Sequence, residues 1–140
     1  MKAFTQEQVE AAKQELRSVF GDRINDISHV GSTYISGSGN DLDIVVWVEP
    51  EYGKVGWGAA DDCELLRNAG YHSTGHDSGE ADDFMTFRKG DVNVMLTHDR
   101  EFIVGFAQAA EVCKYVNAML FREHGHGLEK VHRIMNAESA

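Results

Sequence analysis

The sequence contains a single proline, Pro50, and no stretch rich in serine and proline, so a flexible linker between two domains is not expected. It also lacks internal repeats, heptad runs and low-complexity tracts. The sequence has no run of about 18 apolar residues, the length that a helix needs to span a bilayer. Residues 1–10 are too polar for the apolar part of a signal peptide. These absences, in a chain of 140 residues, predict one domain over residues 1–140 that is cytoplasmic and has no membrane partner.

Basic residues are scarce, since 13 Lys and Arg stand against 23 Asp and Glu, for a formal net charge of −10. Binding of DNA or RNA relies on cationic side chains that displace counterions, so long nucleic acid is not an expected partner. A nucleotide remains compatible with this charge if metal ions neutralise its phosphates. The two cysteines, Cys63 and Cys113, lack the spacing of a metal site and are expected to be free thiols.

The spacing of apolar residues predicts secondary structure along most of the chain. The segments rich in glycine and serine or in acidic residues, 34–40 and 77–83, are predicted loops. Strands are predicted at residues 26–30, 42–48, 84–88 and 92–97, and helices at 6–19, 57–69, 100–120 and after Gly125. This order predicts an α/β (α+β) fold, with a mixed central sheet of about four strands flanked by helices.

Two acidic residues, Asp41 and Asp43, lie at the start of Leu42–Val48, the most strand-like run. Strand alternation directs both carboxylates to one face, where they repel each other unless a cation lies between them. Oxygen ligands of this kind suit Mg²⁺ or Mn²⁺, which often bridge carboxylates to substrate phosphates. Asp41 and Asp43 are therefore the predicted metal ligands, and two solvated acids at a strand start are the alternative.

A glycine-serine pair, Gly31-Ser32, follows the predicted strand at 26–30. Glycine lets the backbone approach a ligand closely, and the neighbouring amides can donate to phosphate oxygens. Taken alone, the pair favours an ordinary turn. Together with Asp41 and Asp43 it predicts a nucleotide-binding site, in which Gly31 and Ser32 contact the outer phosphates of a nucleoside triphosphate.

The ordered combination Val30-Gly31-Ser32 followed by Asp41-Leu42-Asp43-Ile44 resembles the signature of the DNA polymerase β-like nucleotidyltransferase superfamily. The resemblance is particularly to its minimal single-domain members, including small phage-encoded ones, and it covers roughly residues 6–120. The resemblance implies a nucleotidyltransferase-like fold, a nucleoside triphosphate such as ATP as substrate, and two Mg²⁺ (or Mn²⁺) held by Asp41 and Asp43.

The chain departs from the family at the third carboxylate, which the family places on a later strand. The matching strand at 92–97 has Asn93 in that position, and Asp91 lies two residues earlier on the same face. In such enzymes the third acid positions or deprotonates the attacking hydroxyl, whereas a neutral amide is a poor general base. Asn93 or Asp91 is therefore predicted to complete the catalytic set.

A cation is also expected to meet the triphosphate. Lys114 on the long helix is the candidate for nucleotide binding, with Lys130 and Arg133 as further sources on the late helices. A solvated surface charge is an equally good interpretation of each.

The leading hypothesis is metal-dependent transfer of a nucleoside monophosphate from a nucleoside triphosphate to an unknown protein or small-molecule acceptor, with release of pyrophosphate. The alternative, motivated by Asn93, is a nucleotide-binding or antitoxin-like regulatory module that binds a partner protein without turnover. A purely structural interaction domain is the third hypothesis, and it predicts no metal binding.

Overall fold

The computed structural model describes residues 2–50, 60–77 and 84–139. The strands are β1 (Lys2–Ala3), β2 (Ile24–Val30), β3 (Ser38–Gly39), β4 (Leu42–Val48), β5 (His72–Asp77), β6 (Met85–Lys89) and β7 (Val92–Thr97). The helices are α1 (Gln6–Phe20), α2 (Gly31–Ser36), α3 (Ala60–Asn68), α4 (Arg100–His124) and α5 (Leu128–Ser139). Within the described part of the chain, no helix combines the length and the apolar character needed to cross a membrane.

Five strands form one mixed sheet in the order β2-β4-β7-β6-β5. Strands β4 and β7 are parallel, and the other neighbours are antiparallel. The apolar strand β4 lies inside the sheet, between β2 and β7, and its residues from Ile44 to Val46 and Val48 are fully buried, as expected of a strand covered on both faces. The predicted fold class, a mixed sheet flanked by helices, is confirmed, with five strands in place of about four.

Helices cover both faces of this sheet. On one face, α1 contributes Leu16 to a core that contains Leu66 of α3, Ile44 of β4 and Phe87 of β6. On the other face, α4 contributes Ile103 to a smaller core with residues of β2 and β4. Full burial of each such side chain stabilises the fold by about 1.5–3 kcal/mol. Even-numbered residues of β4 face α1, and odd-numbered residues face α4.

The first helix begins where its sequence predicts. The Thr5 hydroxyl accepts from the Gln8 amide, and the Gln8 side chain accepts from the Thr5 amide, which satisfies two backbone donors at the helix start. Gly21 ends the helix at a positive φ of 61°. The predicted bounds of this helix and of Leu42–Val48 agree with the structure to within one residue.

One prediction of irregular structure was wrong. Residues 34–40 were predicted as a loop, but the structure has α2 and β3 there, and β3 pairs with β1 at the amino terminus. The helix is stabilised because the Ser36 hydroxyl donates to the Ser32 carbonyl, and Gly37 ends it in the left-handed conformation.

Strand β5 was also missed, because its sequence has no apolar alternation. It lies at the edge of the sheet, where His72, Ser73 and Thr74 are exposed, and backbone pairing with β6 defines it. The predicted helix at 57–69 is observed as α3, and its first three residues lie outside the described part. Residues 78–83 of the predicted loop 77–83 also lie outside it.

A buried carboxylate joins three elements at the carboxyl ends of β4 and β7. Asp62 of α3 is 2% exposed, and it is 2.5 Å from the Arg23 guanidinium and 2.9 Å from His98 Nε2. Although burial raises the pKa of Asp62, the contacts with His98 and Arg23 outweigh burial and hold that pKa below its ordinary value. This cluster fixes α3 to the sheet at the end opposite to Asp43.

Candidate functional site

The parallel pairing of β4 with β7 brings two of the predicted residues together. Asp43 is directly opposite Asn93 in the register, and Asn93 Nδ2 donates to Asp43 Oδ1 over 3.2 Å. Both side chains leave the α4 face of the sheet, since they alternate with residues of the core under α1. Asn93 of β7 therefore lies beside Asp43 of β4, at the position that the sequence pattern indicates.

The antiparallel pairing of β2 with β4 brings the glycine-serine pair to the same place. Val30 pairs with Asp43, so Gly31 begins α2 directly over that carboxylate. Gly31 has a φ of 78°, and a β-carbon built on it would lie 2.2 Å from Asp43 Oδ2. Glycine is required here for two reasons, the left-handed backbone and the contact with the carboxylate.

Arg88 belongs to the site and was missed in the sequence. Its guanidinium donates to Asp41 Oδ1 over 2.7 Å, and both side chains are about one-third exposed. The signal was present in the predicted hairpin around Lys89-Gly90-Asp91. A two-residue turn there pairs Lys89 with Val92, so that Arg88 pairs with Asn93. This pairing places the Arg88 guanidinium next to the two carboxylates.

Burial and charge act together on Asp43. Burial raises the pKa of Asp43, and the nearby Asp41 carboxylate raises it further, while the Asn93 hydrogen bond and the Arg88 charge oppose the shift. Arg88 is held charged, because its hydrogen bond to Asp41 raises its pKa. A cation bound between Asp41 and Asp43 would relieve the cost of ionising Asp43.

The donor set fits a single divalent cation better than a pair. In the part of the chain that the structure describes, no group of three or more His, Cys, Asp and Glu side chains is arranged to hold a metal. Asp41 and Asp43 are two carboxylates, and Mg²⁺ is commonly bound by one or two carboxylates together with water and substrate phosphates. Such an ion would have to compete with Arg88 for Asp41.

Ser32 lines a cavity of about 460 Å³, and neither Asp41 nor Asp43 is among the described residues that line it. Its hydroxyl packs closely on Gly39, where a β-carbon would lie 2.3 Å from Ser32 Oγ. Asn40, the residue before Asp41, lines the same cavity, and Arg133 of α5 lines it from another element. This volume lies in the range typical of small-molecule sites, and its lining carries both a cation, Arg133, and a carboxylate, Glu129.

Two other predicted residues have different surroundings. Asp91 lies in the β6–β7 turn, where its carboxylate accepts from Lys2 Nζ over 2.8 Å and its carbonyl accepts from the Leu42 amide. Lys114 Nζ lies 4.3 Å from the centre of the Tyr34 ring and lines a neighbouring cavity, which shares part of its wall with the first but does not include Ser32. The catalytic role of Asp91 and the nucleotide-binding role of Lys114 stay predictions.

The structure of the chain resembles that of the conserved protein GrpB from Enterococcus faecalis. The TM-score is 0.54 at 17% sequence identity, and the similarity covers 99% of this chain and 92% of GrpB. No protein-family model and no curated protein matches the sequence. The likeness to GrpB extends over the whole fold, and at this identity it is a likeness of fold alone.

Proposed function

We propose that the chain is a metal-dependent nucleotidyltransferase that uses the site formed by Gly31, Ser32, Asp41 and Asp43. One observation carries the proposal: the two halves of the motif, which are separated in the sequence, converge in the fold, with Gly31 directly over Asp43. An ordinary turn and a pair of solvated acids would not need this contact. The resemblance to the DNA polymerase β-like superfamily assigns these positions to phosphate and metal binding.

In the proposed reaction, an oxygen of the acceptor attacks the α-phosphorus of a nucleoside triphosphate. The bond between the α-phosphorus and the bridging oxygen breaks, and pyrophosphate leaves with that oxygen. Asp41 and Asp43 would hold Mg²⁺, which neutralises phosphate charge, while Gly31 and Ser32 bind the outer phosphates and Arg133 adds a positive charge. The proton of the acceptor would pass to a carboxylate, for which Asp91 remains the candidate, because Asn93 is neutral.

A second candidate function is nucleotide binding without turnover, as in a regulatory or antitoxin-like module. Two contacts favour it: Arg88 already neutralises Asp41, and Asn93 occupies the side of Asp43 where a third carboxylate would stand. In this alternative, the guanidinium of Arg88 supplies the positive charge in place of a metal ion and hydrogen-bonds a phosphate of the nucleotide directly.

The enzyme and binding-module hypotheses are distinguished by incubating the protein with labelled nucleoside triphosphates, with and without Mg²⁺, and measuring nucleotide binding and pyrophosphate release. The enzyme hypothesis expects release of pyrophosphate that requires Mg²⁺ and is lost in Asp43→Asn. Mg²⁺-independent binding without pyrophosphate supports the binding module. An absence of nucleotide binding under both conditions contradicts both. Glu64→Gln, which alters an exposed ion pair on α3, is a matched control and should behave as the wild type.

A further inference from the structure

A second cavity, of about 470 Å³, lies at the free edge of β2, between α1 and α4. Lys13 of α1, Lys114 of α4 and His29 of β2 line it, and none of its described lining residues is Asp or Glu. In a chain with a net charge of −10, such a lining is a local excess of positive charge. Electrostatics therefore favour an anion at this cavity, although the average charge of the chain repels anions.

The two lysines and the imidazole of His29 are held in place by their neighbours. The Lys13 side chain is only 18% exposed, and among the described residues it forms a long ion pair, of 3.8 Å, with Glu10. Lys114 Nζ lies 4.3 Å from the centre of the Tyr34 ring, and this cation–π contact orients the ammonium group at the wall of the cavity. His29 Nε2 is 2.9 Å from the hydroxyl of Thr33, which is buried.

The two lysines act on the same imidazole. Burial, then Lys13 and then Lys114 lower the pKa of His29, so the fields of both ammonium groups converge at this ring. Glu111 lies farther along the same groove, where it lines a smaller neighbouring cavity with Lys13 and His29. It does not line the larger cavity, so the lysines there meet no carboxylate across the space.

The remaining walls indicate the rest of the ligand. Phe4, Val9 and Ile35 provide an apolar surface, and the Tyr34 ring adds an aromatic one. Lysine is a compact point charge suited to phosphate, and a pocket of this size takes a small molecule. We propose that this cavity binds a small phosphate monoester with an apolar body, and that this site is distinct from the acidic site of Asp41 and Asp43.

The test uses phenyl phosphate as the probe, in the presence of EDTA, with the full chain. NMR follows the ring protons of His29 and Tyr34 against chloride at equal ionic strength. Saturable shifts at both residues are expected, and the pKa of His29 should rise by about one unit, because the bound dianion offsets the lysine charges. Inorganic phosphate should bind more weakly, since it lacks the apolar body.

Three variants make the assignment specific. Lys13→Gln should raise the Kd for phenyl phosphate about tenfold, because it removes one of the two ammonium groups. Glu10→Gln is the matched control and should bind at least as tightly as the wild type, since it removes a competing carboxylate. Asp43→Asn should leave phenyl phosphate binding unchanged, and Lys13→Gln should leave any Mg²⁺-dependent nucleotide binding unchanged.

Either of two results overturns the proposal. One is the lack of a saturable chemical-shift change at His29 up to about 10 mM phenyl phosphate, which is about ten times the Kd of a site with millimolar affinity. The other is a response that disappears in Asp43→Asn but persists in Lys13→Gln, which would place the probe at the acidic site. Neither result depends on whether the protein transfers nucleotides.

Discussion

Gly31 and Asp43 are in such close contact that a β-carbon on Gly31 would lie 2.2 Å from Asp43 Oδ2. Backbone pairing of Val30 with Asp43 sets this contact, and the left-handed φ of Gly31 turns the chain into α2 above the carboxylate. The glycine thus determines both the path of the chain and the position of the acidic oxygen. A substitution at residue 31 is expected to alter the two together.

Gly31→Ala should lower stability more than Gly37→Ala. Both glycines have φ near 80°, so each substitution introduces backbone strain of about 1 kcal/mol. A β-carbon at residue 37 meets nothing within 4 Å, whereas one at residue 31 collides with Asp43. Urea unfolding measures the difference between the variants, and Mg²⁺-dependent nucleotide binding should be lost only in Gly31→Ala. Equal effects of the two substitutions would show that the contact with Asp43 has no energetic importance.

Asp43→Asn should stabilise the protein at neutral pH. Because the pKa of Asp43 is raised in the fold, the folded state holds its proton more tightly than the unfolded state does. Ionisation of Asp43 therefore costs stability as pH rises from its ordinary pKa of 3.8 through the folded value. The variant should melt above the wild type at pH 7, by roughly 2–4 °C for each kcal/mol regained, and no higher at pH 3. A gap in melting temperature that widens towards low pH would contradict this sign.

Arg88→Met should tighten the binding of Mg²⁺. The substitution removes the guanidinium that is 2.7 Å from Asp41 and leaves the two carboxylates without their cation. We expect a several-fold lower Kd for Mg²⁺ by calorimetry, and a lower melting temperature in EDTA that Mg²⁺ restores. Arg67→Met, which removes an exposed ion pair on α3, is the control and should change neither quantity. Unchanged or weaker Mg²⁺ binding in Arg88→Met would contradict the competition between Arg88 and the metal for Asp41.

Asn93→Asp tests the position where the sequence departs from the superfamily pattern. It replaces an amide that donates to Asp43 with a third carboxylate about 3 Å away, so the variant should be less stable without metal. Mg²⁺ should restore that stability and bind at least tenfold more tightly. If the protein is an enzyme, pyrophosphate release should increase. Transfer activity in the variant alone, with none in the wild type, would establish the binding module as the function of the native chain.

Asp62→Ala should destabilise the fold by about 3 kcal/mol, because it leaves Arg23 and His98 without their buried carboxylate. The pKa of Asp62 is lowered, so its contribution is present above the ordinary pKa of aspartate and is lost as pH falls through the folded value. Urea unfolding at pH 7 and at low pH measures both effects. Glu64→Gln is the exposed control and should cost less than about 0.5 kcal/mol.

The predictable parts of the fold are those in which local pattern and tertiary environment agree. The continuous apolar run of β4 requires two covered faces, and the Thr5–Gln8 pair begins α1 by local hydrogen bonds. Strand β5 gives no such signal, because an exposed edge strand is defined by backbone pairing to its neighbour. Helix α2 is similarly hidden, since its serines favour turns until packing against α4 selects a helix.

The sequence is enough to predict that Asp41, Asp43 and Asn93 lie together in the site. Alternation along one strand is enough to group Asp41 with Asp43, and the strand register then adds Asn93. Arg88 requires the hairpin register as well, which depends on the length of a turn. The surroundings of Lys114 depend on the packing angle of α4 and on Tyr34, and neither is encoded in local spacing.

The parallel pairing of β4 with β7 also has a consequence for how the protein folds. Asp43 and Asn93 are 50 positions apart, and parallel strands cannot be joined by a tight turn. During folding, β2 and β4 can pair earlier, which leaves the other edge of β4 open to partners from other chains. At that stage the neighbouring carboxylates of Asp41 and Asp43 lack Arg88 and repel a second copy of the same edge. We expect this repulsion to disfavour pairing between copies of the unfinished sheet until the β6–β7 hairpin places Arg88 beside Asp41.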